Sequence, residues 1–456
     1  MAHWARVDSY ADTAGLQRFV RRIFALDTAL LPWLGAAGAS RLVVVKPNWI
    51  QESHQERASV WEPIITHPAL IEAVLRVIAE AMGGRGTIAL CDAPHTYADF
   101  EKILGRGDLR GRLDDVAREF PALRLEVLDL RREIWTTRDD VIVARRANTP
   151  DPRGYVRVDL GRSSLFYRHR GEGRYYGADY DTQTLNDHHR GEVHEYLLAG
   201  TPMHCDLFVN LPKLKTHKKT GITCCLKNLV GINGDKNWLP HHCEGTPSQG
   251  GDEFPEGGAR VVLERALKRL GRKAALRLPL GGPWLFRTMR TAGMRVLGDS
   301  QTVIRNGNWH GNDTCWRMAL DLNRALLYAN AAGTWGNTAA PRRYLAVVDG
   351  IVAGEGNGPI CPDAVAAGVL IGGLNPAVVD AAAARLMGFE VGDLPIVREA
   401  FAAHSLPIAP CALEEVRVEG ADGVVRPLSA VEAVVAGGFR PHFGWSTLRG
   451  RATHGR

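Results

Sequence analysis

The sequence predicts an α/β protein with doubly wound, mainly parallel sheets, arranged as two lobes with a cleft between them and an inserted irregular segment. Three observations predict it. Strand-like apolar runs alternate with helix-like text over residues 1–130, each such run ends in polar residues, and the alternation resumes after a long polar interruption. Leu42–Val45 reads as a buried strand that ends in Lys46, Pro47 and Asn48. Thr66-His67-Pro68 opens a helix, because Thr66 or His67 can cap it and Pro68 suits its first turn. Leu70, Val74, Val77, Ile78 and Ala81 recur at helical spacing, and Gly83-Gly84 stops the helix. Thr87–Leu90 is the next strand, ending at Cys91-Asp92. A strand–helix–strand unit implies parallel pairing, and parallel sheets bind ligands at the carboxyl ends of their strands, where Asn48 and Asp92 fall.

Residues 131–205 are polar and aromatic with weak periodicity and read as an insertion with short strands. Asp206–Asn210 restores the strand pattern, and Thr220–Val230 is expected to be helical. Pro240–Gly258 is a long polar loop, 259–298 a basic helical stretch (Arg265, Lys268, Arg269, Arg272, Lys273), and Cys315–Ala332 a helix. Tyr344–Ile351 and Val369–Ile371 are strands, Asn375-Pro376 caps a helix through Met387, and a hairpin is expected around Gly420–Gly423. The expected division is an N-terminal lobe over 1–130, the insertion over 131–205, a central and C-terminal lobe over 206–410, and a hairpin and tail over 411–456.

With 456 residues, 45% hydrophobic and 23% charged, the chain has material for more than one core. Mean hydropathy is −0.15, and no apolar run approaches the ~20 residues of a membrane helix. Charges stand near the N-terminus where an export signal would be apolar, so a cytoplasmic location is expected. The net charge of +6 favours anionic ligands, but no aromatic-and-basic recognition motif points to nucleic acid. The eight cysteines form no CxxC pair, which argues against an iron–sulfur cluster or structural zinc made by close cysteines.

The densest polar text runs from Asn210 to Gly231. Lys213, Lys215 and His217 crowd together before a glycine turn, and Lys227 and Asn228 follow within apolar text. Lysines beside a helix start attract anions, and a lysine held in apolar surroundings can act as base, nucleophile or electrostatic clamp. A second cluster holds Asp235, His241, His242, Cys243, Asp252 and Glu253, imidazoles and carboxylates of the kind that bind a divalent transition metal, at no fixed motif spacing. Weaker candidates are His67, Asp92 with His95, His310 in a polar loop, and the Gly-rich carboxylate text of Asp349 and Glu355. No phosphate loop, nucleophile elbow or dinucleotide fingerprint is present, so ATP and NAD have no support.

Lys46–Asn48, Thr66–Pro68, Leu211–His217, Lys227–Gly231, Gly234–Pro240, Gly307–Asp313, Val348–Gly350 and Glu355–Pro359 resemble the domain of unknown function 362 family. The likeness runs from about Leu42 to Phe401. The family brings no agreed reaction, and the ferredoxin-like cysteine module of some relatives is missing here. A more distant likeness is to the nickel-pincer lactate racemases, whose spacing of His, Gly, hydroxyl residue and cofactor-bearing Lys is reproduced by His217, Gly221, Thr223 and Lys227. That resemblance places His241 or His242 near the racemases' metal-ligating His, and His67 where they hold a substrate carboxylate with Arg. The racemases' Gly-Gly-Arg before the Lys is absent.

The expected function is an enzyme acting on a small anionic substrate by acid/base or metal-assisted chemistry. His217 and Lys227 are the expected catalytic residues, with Asn48, His67, Lys213, Lys215 and Asn228 binding substrate and His241, His242 and Asp252 as metal ligands. The alternatives are a non-catalytic metal- or redox-cofactor-binding accessory protein and a phosphate or nucleic-acid binder.

Overall fold

The computed structural model describes residues 1–36, 40–138, 141–179, 181–258, 261–267, 269–270, 303–335 and 341–450. Eleven strands form one sheet. They are β1 (Ala2–Arg6), β2 (Leu42–Pro47), β3 (Gly86–Asp92), β4 (Leu123–Asp129), β5 (Leu207–Leu211), β6 (Lys213–His217), β7 (Gly221–Thr223), β8 (Tyr344–Asn357), β9 (Cys361–Gly373), β10 (Arg417–Glu419) and β11 (Val425–Pro427). The order is β11-β10-β1-β9-β8-β5-β2-β3-β4, with β6 beside β8 and β7 beside β6. Pairing is parallel from β8 through β5, β2 and β3 to β4, and antiparallel between β8, β9 and β1. The α/β class read from the sequence therefore holds. The sheets expected of two lobes are, however, one sheet: β5 inserts between β2 and β8, with Val209 opposite Val45. β5 is paired on both edges and buried along its whole length, as a central parallel strand covered on both faces is.

Alternation along the strands divides two cores. Val43, Val45, Ile88 and Leu90 pack with the helices α1 (Thr13–Phe24), α2 (Pro68–Ala81) and α3 (Leu109–Glu119). Val44, Ala89, Phe208 and Val348 pack with α4 (Cys225–Asn228), α5 (Cys315–Tyr328) and α6 (Pro376–Leu386) on the other face. The caps work as their chemistry predicts. His67 Nδ1 accepts from Ala69 N at 3.1 Å ahead of Pro68, and Gly83 and Gly84 end α2 with φ of 62° and 68°. Asn375 caps α6 through Ala377 N and Val378 N, and β10–β11 is the expected C-terminal hairpin.

Three expectations change. Thr220–Val230 is not one helix: β7 pairs back on β6, and only then does α4 begin. Gly221, at φ 79°, reverses the chain, and Asp380 fixes the start of α4 by accepting from Cys225 N at 2.7 Å and Leu226 N at 3.0 Å. Asp349–Gly350 and Glu355–Asn357 are not a loop but part of the 14-residue β8, because β9 pairs along that length and Gly354 leaves room for Pro362 and Lys215. The helix expected to reach Ala332 ends at Tyr328.

The insertion holds short strands as expected. One of them, Tyr175–Tyr176, pairs with His242–Cys243 and ties the insertion to the long loop. Positions 261–267 and 269–270 are helical, while Lys268, Arg272 and Lys273 lie outside the described residues. Among the described residues, no helix is long and apolar enough to cross a membrane.

Candidate functional site

A cavity of about 280 Å³ lies past the carboxyl ends of β2, β3 and β6, where parallel strands leave a crevice. β2 contributes Lys46 and Asn48, the turn after β3 contributes Asp92–Thr96, and α4 contributes Lys227 and Asn228. His217–Lys219, Thr223, Lys236, His241, Pro359 and Ile360 complete most of the wall, and Gly177 and Ala178 bring the insertion to it. Asn48 and Asp92 thus open onto one crevice, whereas Asn210 does not line it and sits behind Asn228, whose Nδ2 donates to Asn210 Oδ1.

His217 and Lys227 meet here because β6 and β7 form a hairpin. His217 ends β6, the chain returns through β7, and α4 carries Lys227 back toward the same space. Lys219 N and Thr220 N both donate to His217 Nδ1, at 3.0 and 3.2 Å, so Nδ1 holds the lone pair and the ring proton sits on Nε2. Burial, reinforced by Lys227, pushes His217 well below the usual histidine range. It is a neutral hydrogen-bond donor. His241 has the opposite tautomer: its Nδ1 donates to Leu239 O at 2.9 Å, leaving the lone pair on Nε2. Burial and then Lys227 also hold His241 well below its usual range. Of these two imidazoles, one donates a hydrogen bond into the cavity and the other can accept a proton.

Behind the cavity, polar side chains satisfy one another. Lys46 pairs with Asp92 Oδ1 at 2.8 Å and donates to Pro47 O at 2.8 Å and Asn228 Oδ1 at 3.2 Å. Asp92 Oδ2 accepts from Trp49 N at 2.7 Å, so this carboxylate is fully engaged. Asn228 donates to Asn210 Oδ1 at 2.7 Å and accepts from Asn48 Nδ2 at 2.8 Å. Lys215 donates to Asn48 Oδ1 at 2.8 Å and Ile64 O at 2.6 Å, and burial pulls its ammonium well below the usual range. Buried networks of this kind hold a site rigid only when every member is paired.

Two more lysines at the wall have only uncharged partners. Lys219 donates to Asn306 O at 2.5 Å, His241 O at 3.3 Å and His242 Nδ1 at 3.3 Å, and burial brings it down to about 8. Lys236 donates to Val230 O at 2.9 Å and Asn233 O at 3.4 Å, and burial brings it down to about 7. Lys227 differs from both: among the described residues, no hydrogen bond or ion pair involves its amine.

Several expected residues stand elsewhere. Lys213 and Asp349 form an ion pair of 2.6 Å, both side chains fully buried, away from the cavity wall. Tyr10 donates to Asp349 Oδ1 at 2.7 Å and stacks on His67 at 3.5 Å, and Asp349 Oδ2 accepts from His67 N. Burial holds His67 down to about 4, and its Nδ1 is the cap of α2. Lys213, His67 and Asp349 thus lock the N-terminal segment to the sheet. Asp349→Ala is expected to cost ~3–5 kcal/mol in urea unfolding, because it strands Lys213 in the core. A loss under about 1 kcal/mol would show that the pair does not hold this region.

The metal set does not converge. Asp252 Oδ1 accepts from Cys243 N at 2.6 Å, and its Oδ2 from Asp313 N at 2.8 Å and Thr314 Oγ1 at 2.7 Å. His241 lines the cavity, whereas His242 stacks on Tyr176 at 5.2 Å and accepts from Lys219. Among the described residues, the one group of three metal-type ligand atoms within 4.8 Å is Cys224, Cys225 and Asp380. There Asp380 already caps α4. Asp235 caps a turn and meets Arg132 at 3.3 Å, Glu253 is absent from the cavity wall, His310 is exposed near Trp309, and Glu355 pairs with Arg440 at 3.4 Å. Lys213 and Lys215 are fully buried, so neither can meet a nucleic-acid backbone, and Arg265 and Arg269 both pair with Glu244.

Lys46, Lys218, Lys219 and Lys236 line the cavity but were not singled out as site residues, while His95, a weaker candidate, lines it too. The signal available was position: Lys46 and His95 follow strand ends, and Lys236 sits inside the Gly234–Pro240 text.

Residues 168–385 match the model of a family described as Domain of unknown function (DUF362), which supports that family for this chain. The match covers His217, Lys227, Lys236 and His241 and leaves Lys46, Asn48 and Asp92 outside. No curated protein matches the chain.

Proposed function

We propose that the protein is an enzyme that binds a small organic anion in this cavity and moves a proton on it, with Lys227 holding the negative charge, His217 donating and His241 accepting. The observation that carries this reading is the Lys227 amine. It belongs to a wall of five lysines with a single carboxylate, Asp92, and it has no partner among the described residues. Asp92 is already used by Lys46. Buried cations without counter-charges are costly, and an anion removes that cost. The cavity's size suits a small molecule, near the lower end of the ~300–1,000 Å³ of common ligand sites.

Chemically, His217 Nε2–H can donate to a substrate oxygen on which charge develops, while His241 Nε2 accepts a proton. A test is the melting temperature in sulfate, acetate, malonate and inorganic phosphate at constant ionic strength. At least one should stabilise saturably, by ~2.7 kcal/mol at a hundred times its Kd. If none does better than chloride, the reading is wrong.

A second reading draws on the spacing shared with the nickel-pincer lactate racemases. His217, Thr223 and Lys227 line the cavity together, so Lys227 would anchor a cofactor there. The intact mass of the purified chain separates the two: the sequence mass favours the anion clamp, and a fixed excess on the peptide containing Lys227 favours the anchored group.

A further inference from the structure

We propose that Lys236 is a nucleophile that condenses with a carbonyl carbon of the bound anion, so that the substrate class is a small anionic aldehyde or ketone. This rests on the anion-binding reading above and deepens it.

Lys236 begins the short turn Lys236–Trp238, which Asp235 caps through Asn237 N at 3.0 Å, and its side chain lines the cavity. Its nitrogen donates to two backbone carbonyls, Val230 O and Asn233 O. A neutral amine has two N–H bonds and one lone pair. Both N–H bonds are engaged by carbonyls, so the lone pair occupies a remaining direction. Three other lysines of the wall are placed differently. Lys46 is held by the Asp92 carboxylate. Lys219 faces three acceptors, which use all three N–H bonds of an ammonium and leave no lone pair. Lys227 has no acceptor among the described residues and suits an anion clamp.

The charged groups around Lys236 favour its neutral form. Asp92 at the end of β3 pulls its pKa up. Lys46 on β2, Arg131 after β4 and Lys227 on α4 all pull it down, and burial outweighs each of these. The result is about 7, so a large fraction of the amine is unprotonated at neutral pH.

The step balances without an oxidant. The amine forms a C–N bond to the carbonyl carbon, and the nitrogen proton passes to the former carbonyl oxygen. Loss of that hydroxyl as water, with a proton from solvent and a hydrogen bond from a neutral donor to the departing oxygen, leaves a protonated C=N. His217 Nε2–H is a donor on the same wall. The cationic C=N then accepts the electron pair when His241 takes a proton from the adjacent carbon.

The full chain is incubated with pyruvate and, separately, glyoxylate, each with cyanoborohydride, and the adduct is mapped by peptide mass. We expect one reduced adduct, on Lys236, absent from Lys236→Arg, with labelling that rises through about pH 7 and levels off above it. Lys227→Met should still label Lys236 but need at least about ten-fold more pyruvate. The mapping on the parent chain needs no variant to fold. An adduct on another lysine, or no adduct while small anions still raise the melting temperature, overturns the inference and leaves the anion site standing. Absence of both adduct and anion stabilisation removes both.

Discussion

Replacing Lys227 by Met weakens binding of a small anion by about 10–100-fold while the empty protein melts close to the parent. Met keeps an apolar stem at this buried position, and the lost amine makes no hydrogen bond among the described residues. Folding therefore loses almost nothing when it is removed. What disappears is one charge-assisted contact, worth ~1.5–3 kcal/mol. Relief of repulsion follows as well, because Lys227 helps hold down His217, His241, Lys219 and Lys236. Calorimetric titration with the most stabilising anion, beside a melting scan, reads both effects. A folded Lys227→Met chain with parental affinity would show that the amine faces away from the ligand.

Gly231→Ala is expected to lower stability by ~3–5 kcal/mol, a loss typical of a broken buried ion pair. A Cβ at Gly231 would stand 1.9 Å from Asp92 Oδ1 and 2.6 Å from Lys46 Nζ. One methyl therefore drives apart the pair that supports Asn228 and, through it, Asn48. Asp92→Asn should cost a similar amount by leaving Lys46 buried without a counter-charge. Urea unfolding measures both. If Gly231→Ala unfolds within about 1 kcal/mol of the parent, Gly231 does not stand against a closed Lys46–Asp92 pair.

The local parts of this fold could be read from the sequence, because their causes are local. The apolar run Leu42–Val45, the cap at His67-Pro68, the stop at Gly83-Gly84 and the cap at Asn375-Pro376 each carry their own physical signal. Pairing between distant segments did not. Nothing near Leu207–Leu211 says that it enters the sheet between β2 and β8, and nothing near Asp349 names Lys213 as its partner. Lys213, Lys215 and His217 alternate along one strand and so share a face. Their partners grade along it, from Asp349, to Asn48 and Ile64, to the cavity. Three equivalent-looking positions thus take three roles. The loop of His241, His242 and Asp252 has a metal site's composition, but the carboxylate is spent on Cys243, Asp313 and Thr314. Gly221 reads as a helix start, yet its positive φ makes a hairpin, and that hairpin brings His217 and Lys227 to one wall.

The anion site is tested most directly by the protons that move when it fills. Burial holds Lys219 at about 8 and Lys236 at about 7 in the empty cavity. Both folded values lie below the ordinary lysine range, so the empty chain gains stability as pH rises from those values toward that range, by at most ~1.4 kcal/mol per pH unit for each lysine. An anion beside Lys219 favours its ammonium form and raises its value, so binding at a pH near that value must take up protons. Malonate, which has no aldehyde or ketone, is titrated into the protein at about pH 7.5 in two buffers of different ionisation enthalpy. The expected result is saturable binding whose heat differs between the buffers by the amount that net proton uptake requires. Binding with equal heats in both buffers, or proton release, would contradict an anion seated among these lysines.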